Sequence, residues 1–140
     1  MSTRTGPIIL IEDDQDDQEM LREVFKDLDI NNELKFFNNG NDGLNYLLTT
    51  TDKPLIIFSD INMPAMTGIE LRKKINENDY LRKKSIPFVF LTTSERRDAV
   101  IEAYEMMVQG YFIKPNNLNE FKGIVRMVID YWKVCKHPNT

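Results

Sequence analysis

The sequence predicts an α/β domain built on a five-stranded parallel sheet of order 2-1-3-4-5, doubly wound by five helices. Three observations predict it. Unbroken apolar tetrads stand at residues 8–11, 55–58 and 88–91, the short runs expected of strands buried on both faces. Amphipathic stretches with a 3.6-residue period alternate with them. The strand-then-helix unit repeats five times, which calls for parallel strands joined by right-handed crossovers.

The elements follow in order. Ile8-Ile9-Leu10-Ile11 is a central strand. The first helix opens after Asp14, an N-cap residue, with Asp16 and Asp17 in its first turn, and carries a stripe of Met20, Leu21, Val24, Phe25 and Leu28. Leu34-Lys35-Phe36-Phe37 is a mixed run suited to a sheet edge, followed by a helix on Leu44, Leu47 and Leu48. The run at 55–58 is the third strand, and Ile69, Leu71 and Ile75 give the third helix its weaker stripe. Residues 76–85 form a connection longer than the minimum. Phe88-Val89-Phe90-Leu91 is the fourth strand, and Val100, Ile101, Tyr104, Met107 and Val108 mark the helix after it. Tyr111-Phe112-Ile113 is a second edge. The last helix carries Phe121, Ile124, Val125, Val128, Ile129 and Trp132 on one face. Met127, Tyr131 and Val134 make a second apolar line, which is either the flank of a broad buried face or a surface for a partner.

Composition narrows the function. A length of 140 residues suits one domain over 1–140, with no output domain expected after the last helix. A net charge of −4 argues against a nucleic-acid binder that works by bulk electrostatics. No apolar run has the ~18 residues of a membrane span, and no apolar segment makes the N-terminus a signal peptide. A single cysteine, Cys135, excludes an internal disulfide framework. A cytoplasmic protein is the expectation.

In sheets of this kind ligands bind beyond the carboxyl ends of the strands. Glu12, Asp13 and Asp14 follow the first strand there, and Ser59-Asp60-Ile61-Asn62-Met63-Pro64 closes the third. Thr92, Thr93 and Ser94 follow the fourth, and Lys114-Pro115 the fifth. Taken singly, each is ordinary: a solvated acidic loop, a turn aspartate, a strand-ending threonine, a surface lysine. Together they bring carboxylates, hydroxyls and one ammonium to one rim. Crowded carboxylates repel unless a cation sits among them, and hard oxygen ligands with retained water suit Mg²⁺.

The Glu12-Asp13 pair, the segment from Ser59 to Pro64 with Gly68 beyond it, Thr92 and Lys114-Pro115 resemble the response-regulator receiver domain of two-component signalling, a flavodoxin-like fold. The resemblance spans essentially the whole chain and is closest to stand-alone, chemotaxis-regulator-like members. It implies that Asp60 accepts a phosphoryl group from a sensor histidine kinase or phosphotransfer protein. It implies Mg²⁺ held by Asp13, Asp60 and the backbone carbonyl of Asn62, with Glu12 acting through water. Lys114 is implied to pair with Asp60 and then with the phosphoryl oxygens, and the Lys114–Pro115 bond to be cis. Thr92 and Tyr111 are the implied switch pair. Thr93 competes for the first role, and Thr92 is preferred because it directly follows the apolar tetrad. Ser94 and Asn62 are implied to flank the phosphate. The output is then binding to a downstream protein target or formation of a homodimer, with neither nucleic acid nor membrane as partner. Some stand-alone receivers serve phytochrome-type kinases.

Rival chemistries fit less well. A dehalogenase-type phosphatase needs a second Asp where Asn62 stands, and a flavin phosphate would be repelled by Glu12-Asp13-Asp14. No Gly-rich phosphate loop with a lysine is present. The remaining rival is a receiver-like scaffold acting without phosphorylation, yet the acidic set, Lys114 and Thr92 are all retained.

Overall fold

Ile8, Ile9, Leu10 and Ile11 are all buried to within 1% of full coverage, which only a strand sandwiched between two helical layers achieves. In the computed structural model, which describes residues 3–138, this run is β1 (Ile8–Ile11). It is joined by β2 (Leu34–Phe37), β3 (Ile56–Ser59), β4 (Phe88–Thr92) and β5 (Gly110–Ile113). All pairings are parallel and the order is 2-1-3-4-5. β3 and β4 are buried throughout, whereas β2 is half-buried and β5 mostly so, as the mixed composition of the two edges predicts.

Side chains alternate between the two faces with the strand period. Ile8, Leu10, Ile56, Phe58, Val89 and Leu91 pack on α1 (Gln15–Asp27) and α6 (Leu118–Val134). Ile9, Ile11, Ile57, Phe88 and Phe90 face α2 (Gly40–Thr49), α3 (Gly68–Glu77), α4 (Asp79–Lys84) and α5 (Arg97–Glu105). Caps define the helix starts: the side chain of Asp14 accepts from the Asp17 amide, and Thr67 and Glu70 form a reciprocal capping box.

Three expectations change. The helices number six among the described residues, not five, because part of the 76–85 connection is α4. Its start is capped by Asn78, and Leu81 is its one buried residue. A six-residue helix with one anchor has too little periodicity to be read from sequence. The stripe assigned to the helix after β4 points largely outward: Ile101, Tyr104 and Met107 are 46%, 51% and 67% exposed. That helix, α5, instead packs through the small Ala103, with Val108 buried just beyond its end. The Lys114–Pro115 bond is trans, the lower-energy form of such bonds. Beyond α6, His137 is buried, its Nε2 2.8 Å from the Trp132 carbonyl oxygen.

Candidate functional site

Strand register builds the site. Ile11 lies opposite Ser59, so the next residues, Glu12 and Asp60, leave the sheet side by side. The Asp60 amide still donates to the Ile11 carbonyl at 3.0 Å, holding the two loop starts together. Asp13 follows at once, and one carboxylate oxygen from each of Glu12, Asp13 and Asp60 falls within a 4.8 Å span. β5 ends two strands away, and the long Lys114 side chain reaches back across the rim. Its Nζ donates to Glu12 Oε1 at 2.7 Å, to Asp17 Oδ2 at 2.7 Å and to Asp60 Oδ2 at 3.2 Å.

Burial sets the electrostatics. The Glu12 side chain is 4% exposed and that of Lys114 is 8% exposed. Burial raises the pKa of Glu12 to about 7, against the opposing pull of Lys114 and of the Asp14 amide that donates to it. Burial alone would lower that of Lys114, but hydrogen bonds to Asp17 and Glu12 and the charge of Asp60 outweigh it, so the ammonium is held charged. Asp60 Oδ1 accepts from the Ile61 amide at 2.7 Å, which fixes the carboxylate plane.

The floor under Asp60 is closely packed. A methyl group on Gly68 would collide with the Asp60 carbonyl and the Phe90 ring, so only glycine lets α3 start this close. Ser59 donates to the Asp60 carbonyl at 2.8 Å, as a packed strand-end residue. Met63 and Met66 are buried in the core beside the loop.

The hydroxyl-bearing residues take distinct positions. Thr92 is fully buried, while Thr93 is exposed. Thr92 Oγ1 accepts from the Ser94 amide at 3.3 Å, and the Tyr111 hydroxyl donates to the Ser94 carbonyl at 2.8 Å. The backbone of Ser94 therefore links Thr92 and Tyr111. Tyr111 is half-buried, its ring edge-on to Phe90. Asn62 is exposed, on a cleft of about 390 Å³ shared with Ser94 and Thr67.

This arrangement can be compared with known proteins. The chain matches the response regulator receiver domain over residues 8–126. It belongs to that family. Response regulator Rcp1 of Synechocystis sp. is 32% identical over 140 residues, covering 94% of each chain. The crystal structure of a Mn(2+)-bound form of Rcp1 superimposes with a TM-score of 0.79 at 31% identity, over 94% of this chain and 96% of that one. The phosphorylated cyanobacterial phytochrome response regulator RcpA gives 0.84 at 26% identity, over 95% and 98%. The chain is thus a receiver domain of two-component signalling, akin to stand-alone response regulators. Among its described residues no helix is long and apolar enough to cross a membrane.

Within this receiver domain the residues singled out from sequence converge: Glu12, Asp13, Asp60 and Lys114 form one cluster, with Thr92 ending β4 nearby. Two contributors were missed. Asp17 was read only as a helix-start acid, yet it takes a full hydrogen bond from Lys114. Gln18, 3% exposed, donates to the Glu12 carbonyl at 2.6 Å and to Asn38 at 2.8 Å, and so fixes the β1–α1 loop. The only sequence signal for Gln18 was a polar residue within the apolar stripe of α1.

Proposed function

We propose that this receiver domain accepts a phosphoryl group on Asp60 from a histidine kinase or phosphotransfer protein, in a Mg²⁺-dependent reaction. An Asp60 carboxylate oxygen attacks the phosphorus of a phosphohistidine; the new P–O bond replaces the P–N bond, and the imidazole leaves with the bonding pair. The observation that carries this reading is the oxygen cluster of Glu12, Asp13 and Asp60 with Lys114 bound into it. All-oxygen donors fit a hard divalent cation. Asp13 and Asp60 would hold it with the Asn62 carbonyl, and Glu12 through water; the ion would supply charge stabilisation for the transferring group. The family relation to a Mn(2+)-bound Rcp1 supports the same reading.

The chain's own groups do the rest. Lys114 orients Asp60 and then pairs with the phosphoryl oxygens. The 3.3 Å bond from the Ser94 amide to Thr92 Oγ1 is long and easily exchanged for one to the phosphoryl group. Movement of Thr92 alters the Ser94 backbone that holds the Tyr111 hydroxyl, so the ring follows. The surface so changed lies about β5, with Ile101 and Tyr104 of α5, Met107 in the turn after it, and Met127, Tyr131 and Val134 of α6, all exposed. It would bind a downstream protein or a second copy.

Mass spectrometry after acetyl phosphate and Mg²⁺ should show one phosphoryl group on the native chain and none on Asp60→Asn. Equal labelling of both would discard the assignment. No labelling of either, by acetyl phosphate or by kinases, would favour a scaffold that acts without phosphorylation.

A further inference from the structure

A second polar constellation lies at the other end of the sheet. Arg72 on α3 is only 8% exposed, and no carboxylate is within ion-pair distance of it among the described residues. Its Nε donates to the Met106 carbonyl at 3.1 Å and one terminal nitrogen, Nη2, to the Met107 carbonyl at 2.8 Å. Its carbon Cζ sits 5.3 Å from the centroid of the Phe88 ring. Burial without a counter-charge lowers its pKa to about 10. The other terminal nitrogen, Nη1, makes no hydrogen bond to the protein. No fully buried side-chain nitrogen lacks a partner among the described residues, so Nη1 opens onto accessible space.

Arg72 lines a cavity of about 220 Å³ between α2, α3, α4 and the sheet. Ile57, Ile75, Leu81 and Ile86 wall it, Arg72 and the half-exposed Arg82 supply two guanidinium groups, and no Asp or Glu lines it. Arg82 pairs with Asp79 at 2.8 Å, an exposed contact worth little in water. Ile86 and Gln109 precede β4 and β5, so the cavity is remote from Asp60, which follows β3. Two cations without a lining acid call for one anion, and the aliphatic walls call for a hydrocarbon chain behind it. At about 30 Å³ per water-sized group, the cavity takes about seven non-hydrogen atoms, the size of pentanoate.

We propose that this cavity is a binding site for a short aliphatic monocarboxylate, its chain against Ile57, Ile75, Leu81 and Ile86 and its carboxylate on Arg72 and Arg82. The site is separate from the phosphoryl-acceptor reading and does not depend on it. A carboxylate on the free Nη1 would supply the counter-charge Arg72 lacks without breaking its two bonds to the end of α5.

The test is a methyl NMR titration of the intact chain with pentanoate, acetate and pentan-1-ol. Pentanoate should give saturable shifts at the Ile57, Ile75, Leu81 and Ile86 methyls. Acetate, lacking three methylenes, should bind weaker by on the order of tenfold or more, and pentan-1-ol, lacking the charge, by a similar factor. Arg82→Gln, a change at a half-exposed side chain, should weaken pentanoate several-fold and leave pentan-1-ol unaltered. Arg72→Lys, which keeps the charge and loses the fork, should weaken it further. Equal affinity for acid and alcohol, shifts confined to methyl groups outside the cavity, or no saturation would overturn the proposal.

Discussion

Asp13 and Lys114 stand on opposite sides of the same balance. Lys114 offsets Glu12, Asp17 and Asp60 directly, whereas Asp13 adds a further negative group to the cluster and receives no ion pair among the described residues. Without a divalent cation, then, removing Asp13 relieves like-charge repulsion. Asp13→Ala should raise thermal stability in metal-free buffer, by roughly 1 kcal/mol, and should abolish the stabilisation that Mg²⁺ gives the native chain. Thermal unfolding with and without Mg²⁺ reads both effects; an unchanged response to Mg²⁺ in the variant would remove Asp13 from the ligand set. Gly68 tests the floor. Gly68→Ala forces a methyl against a backbone carbonyl and an aromatic ring, neither of which yields cheaply. A loss of about 1–3 kcal/mol in urea unfolding is expected, with slower acetyl phosphate labelling because the displaced group is Asp60 itself.

At the scale of elements, two short pieces depend on single contacts. α4 has six residues, one buried side chain and an Asn78 cap donated to by the Leu81 amide. Such a helix does not persist by propensity alone. Asn78→Ala should cost about 1 kcal/mol and speed amide exchange across 79–84, with Asp60 labelling untouched; unchanged exchange would mean that Leu81 packing alone holds it. The loop after β4 is the second piece. The resemblance implies that Ser94 flanks the phosphate; its backbone also links Thr92 to Tyr111. Nothing in the residue type announces that, because the amide and carbonyl that make the link belong to every non-proline residue.

Across the molecule, most of the exposed large apolar side chains lie on the helices that precede and follow the edge strand β5. Six of the exposed large hydrophobic residues belong to α5, α6 and the turn after α5: Ile101, Tyr104, Met107, Met127, Tyr131 and Val134. The exposure of Met127, Tyr131 and Val134, at 57%, 61% and 81%, decides that the second line on α6 faces solvent and is no flank of the core. Exposed apolar side chains grouped in this way mark interaction surfaces. Beryllofluoride-treated protein should sediment faster, or retain a kinase or target, than untreated protein, and Tyr131→Glu should abolish the difference. Assembly that survives the substitution would move the interface elsewhere, with the first helix beside Asp16 and Met20 the next candidate.

Sheet order, strand positions to within one residue and the acidic rim were legible in the sequence because they rest on local rules. Apolar tetrads flanked by polar residues have few alternatives to buried parallel strands, and the residues after such strands must meet at one edge. Asp60, Asp13, Glu12 and Lys114 could therefore be placed together before any distance was known. The outward turn of Ile101, Tyr104 and Met107 could not, since a helical stripe fixes which residues share a face but not which face meets the sheet. Ala103 decided that by letting α5 pack closely. Asp17, Gln18 and the unpaired Arg72 were equally hidden. Each gains its role from a partner distant in the chain or from the geometry of a loop, and burial of a polar group is a property of the packed whole.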